Sequence, residues 1–130
     1  MKNISVEFFH LCDNAFISKD DKLNLIGIFQ NITTKAVPAL HPRMYVAAGI
    51  QVLVKKKYLI QLKITMVSSK EELASIDFVL DIPKVAEGKA GLLLGQIDQI
   101  VFPHYGKYNI SLNSEENEFF NTEIELVESK

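Results

Sequence analysis

Hydrophobic and polar residues alternate along most of this chain with a period of two. The pattern is clearest near the C-terminus, where two apolar series alternate with polar and acidic residues: Tyr108, Ile110 and Leu112, then Phe120, Ile124 and Leu126. A period of two places one face of a strand in a core and the other in water, as in antiparallel sheets. The same pattern recurs through the rest of the chain, so we expect an all-β protein.

The alternation predicts about eight strands, separated by turns every 8–12 residues or so, a spacing typical of a sandwich or a barrel. The predicted strands cover residues 4–17, 23–29, 44–54, 58–66, 74–82, 92–102, 108–113 and 120–126. We expect the first two to form a hairpin and the next three a meander. Residues 33–42 and 83–89, which contain prolines, should cross between sheets. We therefore predict a single domain, residues 1–130, folded as a two-sheet antiparallel β-sandwich with an immunoglobulin-like or similar Greek-key topology.

The predicted N-terminal hairpin is apolar on both faces, whereas a strand of a two-layer sandwich needs only one apolar face. Phe9, Ile26 and Ile28 are our candidates for the surplus surface. Apolar surface left over in this way suggests contact with another subunit. We therefore expect a homo-oligomer or a protein partner, with these three residues at the interface.

Composition and charge narrow the choice of partners. The chain has a net charge of −2 and a single cysteine, Cys12. A chain without a basic excess does not attract nucleic acid or an acidic membrane, and one cysteine cannot form an intrachain disulfide. No apolar run reaches the roughly 18 residues of a spanning helix. We expect a bacterial cytoplasmic protein that binds neither nucleic acid nor membrane.

Catalytic and metal-binding patterns are not evident in the sequence. The three histidines, His10, His41 and His104, lie far apart, unlike the closely spaced ligands of common metal sites. No nucleophile elbow, phosphate loop or dinucleotide-binding motif occurs. We expect a protein that is not an enzyme and has no metal or cofactor. A hydrolase site assembled from distant residues is a third, less favoured hypothesis.

Four polar residues are weak candidates for a small-ligand site, for a sugar or an anion, at one end of the sandwich: Asp13, Arg43, His104 and Tyr105. We favour structural roles for them. Asp13 and Asn14 can hydrogen-bond to the backbone at a bend in the strand, and Arg43 can pair with an acid. Tyr108, beside this group, can hydrogen-bond to a backbone group at a strand corner.

Several short motifs together resemble a family of small bacterial proteins of unknown function. They are Leu11-Cys12-Asp13-Asn14-Ala15, Lys22-Leu23-Asn24-Leu25-Ile26-Gly27-Ile28-Phe29, Pro38, His41-Pro42-Arg43, Phe102-Pro103 and Gly106-Lys107-Tyr108. The resemblance implies a stand-alone β-sandwich and supplies no catalytic residue. Our leading hypothesis is a non-catalytic protein-binding or assembly module, and the alternative is binding of a small ligand at one end of the sandwich.

Overall fold

The structure, a computed structural model, describes residues 4–52, 57–81 and 91–129, which form nine strands and no helix. In chain order these are β1 (Ile4–Ile17), β2 (Leu23–Phe29), β3 (Asn31–Thr34), β4 (Ala39–Val52), β5 (Lys57–Met66), β6 (Glu72–Asp81), β7 (Gly91–Phe102), β8 (Gly106–Ser114) and β9 (Asn117–Glu128). The expected strands are therefore present, and β3 is the one that the alternation did not predict. Four residues are too few to show a period of two.

The strands form two sheets, which confirms the predicted all-β sandwich. The four-stranded sheet has the order β2-β1-β4-β7, and the five-stranded sheet has the order β3-β9-β8-β5-β6. All pairs of neighbouring strands are antiparallel except β3 and β9, which run parallel. The parallel pair arises because the chain reverses direction between β2 and β3 as it passes from one sheet to the other.

The core lies between the two sheets and consists of the side chains on the apolar face of each strand. In β5 and β8 every residue of the predicted inner face is buried: Tyr58, Ile60, Leu62, Ile64, Met66, Tyr108, Ile110 and Leu112. Full burial of one such side chain contributes about 1.5–3 kcal/mol. The predicted hairpin of β1 and β2 is also present, with Leu11 opposite Phe29 and Ile17 opposite Leu23.

The predicted meander is wrong in one respect, because β4 belongs to the other sheet from β5 and β6. It lies at the centre of the four-stranded sheet, between β1 and β7. The chain therefore changes sheets between β4 and β5, where residues 53–56 lie outside the described part. The expected crossing at 33–42 contains the step from β3 to β4. The second, 83–89, lies outside the described residues, although β6 and β7 on either side of it belong to different sheets.

Gly95 has a different role from the bulge that its position in β7 suggests. The register of β7 against β4 runs through Gly95 without a shift. The buried side chains of β7 are odd-numbered at Leu93 and Ile97 and even-numbered from Ile100 onward. The change occurs beside Gln99, whose φ is 52°. At Gly95 the ring of Phe78 occupies the space that a Cβ would need. The glycine therefore allows a ring from the five-stranded sheet to approach the backbone of the other sheet.

This contact between sheets generates a stability prediction. Phe78→Ala should lower the free energy of unfolding by about 2–3 kcal/mol, less than for a fully buried ring, because Phe78 is half-buried. Asp77→Ala, one residue away on the exposed face, should change it by less than about 0.5 kcal/mol. Urea denaturation of both variants measures the difference. Equal losses would show that the two faces of β6 are assigned incorrectly.

Candidate functional site

Asp13 and Asn14 shape the backbone where β1 and β2 pair. The register of the two strands sets Asp13 opposite Gly27, and the Asp13 carboxylate fills the space that a Cβ at Gly27 would need. Gly27 has a φ of +70°, a conformation that glycine adopts without strain. The Asn14 side chain accepts a hydrogen bond from the Ala15 amide at 2.9 Å. Asn14 therefore hydrogen-bonds to the backbone as expected, whereas Asp13 fills space over Gly27. The predicted bend is not seen, because β1 continues through both residues without a shift in its register to β2.

Arg43 belongs to a small charged cluster on the outer face of the four-stranded sheet. Its Nε lies 3.3 Å from Oδ1 of Asp98, and Gln96 donates to both carboxylate oxygens of Asp98 at 2.9 and 3.1 Å. The Gln96 hydrogen bonds, and then the Arg43 contact, hold the pKa of Asp98 below its usual value. All three side chains are exposed, so the pair contributes little to stability.

His104 and Tyr105 lie in the turn between β7 and β8. The buried Tyr108 hydroxyl donates to the His104 carbonyl at 2.6 Å and accepts from the His104 amide at 3.2 Å, which confirms the predicted tyrosine–backbone bond. Its ring also meets Phe102 edge-on, with centroids 4.9 Å apart. The Tyr105 hydroxyl donates to the Thr34 carbonyl at 3.4 Å. Desolvation, with a smaller contribution from Glu128, raises the pKa of Tyr105.

The four predicted ligand-binding residues do not share one face. By the alternation of β1, Asp13 lies on the side of Leu11 and Ala15, whereas Arg43 lies on the opposite side of its sheet from the buried Met44. His104 and Tyr105 belong to a turn. A ligand site built from all four therefore stays a prediction, without a common surface to support it.

His41 is half-buried and has a buried ring nitrogen, which its sequence context did not reveal. Its ring lies 5.8 Å from that of Phe29, and its Nε2 is buried without a hydrogen-bond partner among the described residues. The sequence suggested a solvated loop there because of the neighbouring Pro42. β4 begins before the predicted start at residue 44. The available signal was that apolar residues, Ala39 and Met44, lie two positions before and three after this histidine.

The outer face of the four-stranded sheet is largely apolar. Across its middle, Ile28 lies opposite Cys12 and Cys12 opposite Tyr45, and Ala47 lies opposite Leu94 in the adjoining row. Larger neighbours hide Cys12 completely, and burial together with the charge of Asp13 raises the pKa of its thiol. Further apolar residues on this face are Phe8, Phe16, Ile26 and Leu92. We call this surface the apolar outer face.

The three predicted interface residues divide between the two sides of the sheet. Ile26 and Ile28 lie on the apolar outer face, with 53% and 54% of their surface exposed. Phe9 lies on the inner side and packs against Phe120 of the other sheet, with ring centroids 5.0 Å apart. The register shift between Val6 and Phe8 causes this difference, because it returns Phe9 to the core side and turns Phe8 outward over Gly49.

At one lateral side of the sandwich, β1 and β9 are paired with β2 and β3 over only part of their length. β2 pairs with β1 from Leu11 onward, and β3 pairs with β9 from Glu125 onward. At the boundary lies a cleft of about 210 Å³ between the sheets. Its lining consists of Phe9, His10, Leu11, Ile28, Phe29, Gln30, Thr122, Glu123 and Ile124. Sequence alternation did not indicate this cleft, because it depends on where two strands from different sheets end.

Comparison with known proteins identifies the family. Residues 7–127 match DUF6941, a family of unknown function. The chain belongs to this family, which confirms the resemblance inferred from its motifs. No curated protein matches the chain.

Solved structures with a similar backbone show the fold alone, because their sequences are so different. An alkylpurine DNA glycosylase of Pseudomonas fluorescens matches 96% of this chain with 10% identity and a TM-score of 0.56. A β-glucosidase of Listeria innocua matches 92% with 12% identity and a TM-score of 0.50. The chain spans only 30% and 16% of these two proteins. For an immunoglobulin-like protein of Pseudomonas aeruginosa the match covers 95% of each chain, with 8% identity and a TM-score of 0.47.

The described residues contain no group of three or more histidine, cysteine, aspartate or glutamate side chains placed to hold a metal ion. In the same part of the chain there is no helix long and apolar enough to cross a membrane.

The Tyr108 hydrogen bonds can be tested directly. Tyr108→Phe should lower the free energy of unfolding by about 1–3 kcal/mol, because it removes both hydrogen bonds between the buried tyrosine and the His104 backbone. Tyr105→Phe, which removes one long hydrogen bond at a half-buried ring, should cost less than about 1 kcal/mol. Thermal or urea unfolding gives both values. A Tyr108→Phe variant as stable as the parent would show that the hydroxyl does not fix this turn.

Proposed function

We propose that this protein is a non-catalytic assembly module and that two copies associate through the apolar outer face. The observation that carries the proposal is the exposure of Ile26 and Ile28 by more than half, next to the apolar residues Phe8, Phe16 and Leu92 of the same face. Contiguous apolar surface of this kind is typical of protein interfaces. The outer face of the five-stranded sheet has Ser111, Asn113 and Lys63 at central positions. Its exposed apolar residues Leu59 and Val79 form one isolated cross-strand pair.

The composition of the apolar outer face supports association of a protein with it. Its centre contains Phe8, Tyr45 and Ile28, and aromatic residues are enriched in the cores of interfaces. Its margin is polar, with Gln51 and Glu7 hydrogen-bonded to each other at one end. An apolar centre inside a polar rim is the usual arrangement of such surfaces.

A second copy is the occupant that we propose, because the one ion pair that the described residues form on this face lies within the chain. Arg43 and Asp98 already form an ion pair within the chain. Two such faces can therefore meet around a two-fold axis without opposing like charges, and a two-fold interface brings the same patch from each subunit together. The other possible occupant, an unrelated protein, is an outcome of the test below.

Light scattering at micromolar concentration should give a mass twice the 14.7 kDa of one chain. Ile26→Glu should produce a folded monomer, because it places a charge in the interface but not in the core. Val79→Glu is the matched control: Val79 is 69% exposed on the outer face of the other sheet, so this variant should remain a dimer.

Phe9→Glu serves as a second control, because its side chain points inward and the substitution should destabilise the fold itself. Circular dichroism and urea denaturation distinguish loss of folding from loss of association. A parent protein that is monomeric at every concentration tested would refute self-association, and the apolar outer face would then be assigned to a different protein.

A further inference from the structure

The partly covered side of the sandwich leaves two strand edges without a neighbour. β3 pairs with Glu125–Glu128 of β9, and β2 pairs with Leu11–Ile17 of β1. Beyond these points no described strand pairs with residues 118–124 of β9 on that side. We call residues 118–124 the open edge of β9. Unpaired strand edges present backbone N–H and C=O groups that can bind another strand.

The backbone of the open edge is oriented toward this vacant side. The Glu125 amide donates to the Gln30 carbonyl at 3.4 Å, and the Ser129 amide donates to the Thr34 carbonyl at 2.9 Å. Both are odd-numbered residues, and backbone groups alternate in direction along a strand. The N–H and C=O groups of Asn121 and Glu123 therefore point to the same side, where β3 would lie if it extended further.

A cleft with a mixed lining lies next to these backbone groups. Its apolar part comes from Phe9, Leu11 and Phe29 of the four-stranded sheet and from Ile124 of β9. Polar groups of Thr122 and Glu123 lie beside them. At about 210 Å³, the cleft has room for an apolar side chain but not for a large ligand. A strand added to the open edge would direct alternate side chains into this cleft and the others toward solvent.

The solvent side of the open edge is acidic. Glu118 and Glu123 lie on the outer face of β9, where Glu118 accepts a hydrogen bond from Asn121 at 3.0 Å. Glu123 forms no ion pair with any of the described residues. The nearby cation, Lys107, lies opposite Glu125, toward the half that β3 covers. Outward-facing side chains of an added strand would therefore be favoured if they were basic.

We propose that the open edge of β9 binds an extended segment of a partner protein, in which apolar and basic side chains alternate. The segment adds to the five-stranded sheet in line with β3. Its backbone bonds to Asn121 and Glu123, its apolar side chains enter the cleft and its basic side chains meet Glu118 and Glu123. This is strand addition, a known mode of peptide recognition. The proposal goes beyond the assembly proposed above, because it concerns the side of the sandwich and not the apolar outer face.

The probe is a seven-residue peptide in which lysine and valine alternate, with capped ends and a fluorescent label. Its binding to the full chain can be followed by fluorescence anisotropy. We expect saturable binding that weakens as salt is added, since the acidic groups are exposed. The control peptide has the same sequence with N-methyl groups on alternate residues. It keeps the charge and loses backbone donors, so it should bind about tenfold more weakly or not at all.

Two substitutions at one position separate the backbone from the side chain. Asn121→Pro removes the amide that points to the open edge and keeps the bonds to β8, so the protein should fold. Asn121→Ala removes the same side chain and keeps the amide. Peptide binding should weaken about tenfold in Asn121→Pro relative to Asn121→Ala. Circular dichroism of both variants verifies that each is folded.

Charge is tested by Glu123→Gln, which should weaken binding of the lysine peptide and reduce its salt dependence. The matched control is Glu71→Gln, in the turn between β5 and β6, which should change neither. The proposal is overturned if the peptide does not bind, or if its N-methylated form binds equally well. A further pair of results also overturns it: the parent does not bind the peptide, and Asn121→Pro lowers the mass measured by light scattering. The open edge would then pair with a second copy of this chain.

If Asn121→Pro does not fold, Glu123→Gln and the N-methylated peptide still decide the outcome. Ile26→Glu, which disrupts the apolar outer face, should leave peptide binding unchanged. A loss of peptide binding in this variant would show that the two surfaces are not separate and would refute the open edge as an independent site.

Discussion

The burial of β4 on both faces is the constraint on which the rest of this structure depends. On its inner side, Met44, Val46 and Ala48 are part of the core, and on its outer side Ala47 is also completely buried. A central strand of an open sheet has neighbours on both edges, and here β1 and β7 supply them. The outer side must then be covered by large neighbours such as Phe8, whose ring lies over Gly49. This covering layer creates the apolar outer face, so the surface that we propose for assembly follows from the position of β4.

The motifs that identify the family have structural roles in this chain. Asp13 fills the space above Gly27 where two strands pair, and Tyr108 fixes the turn that joins β7 to β8. The first interaction lies inside a strand pair and the second where the chain reverses. The features that we propose for function lie elsewhere, on the apolar outer face and the open edge of β9. Family membership was thus evident from residues that maintain the fold, while the proposed contacts depend on surfaces that these residues leave exposed.

The two proposed surfaces use different physical interactions. Association through the apolar outer face depends on removing apolar side chains from water, which has no direction and little dependence on salt. The open edge depends on directional backbone hydrogen bonds, with the carboxylates of Glu118 and Glu123 favouring basic partners. One surface can therefore serve a permanent contact between copies while the other binds a partner reversibly. Both surfaces lie on strands of the same sandwich.

The sequence by itself determined the fold class, eight of the nine described strands and most of the inner faces, because alternation of period two depends only on which residues each strand buries. It also indicated Ile26 and Ile28 as surplus apolar surface. Tertiary structure decided the rest. The sheet to which β4 belongs depends on pairing between distant strands, and the side on which Phe9 lies depends on a register shift in β1. The cleft and the open edge arise where β2 and β3 end relative to β1 and β9. These are relations between segments far apart in sequence, and local alternation contains no information about them.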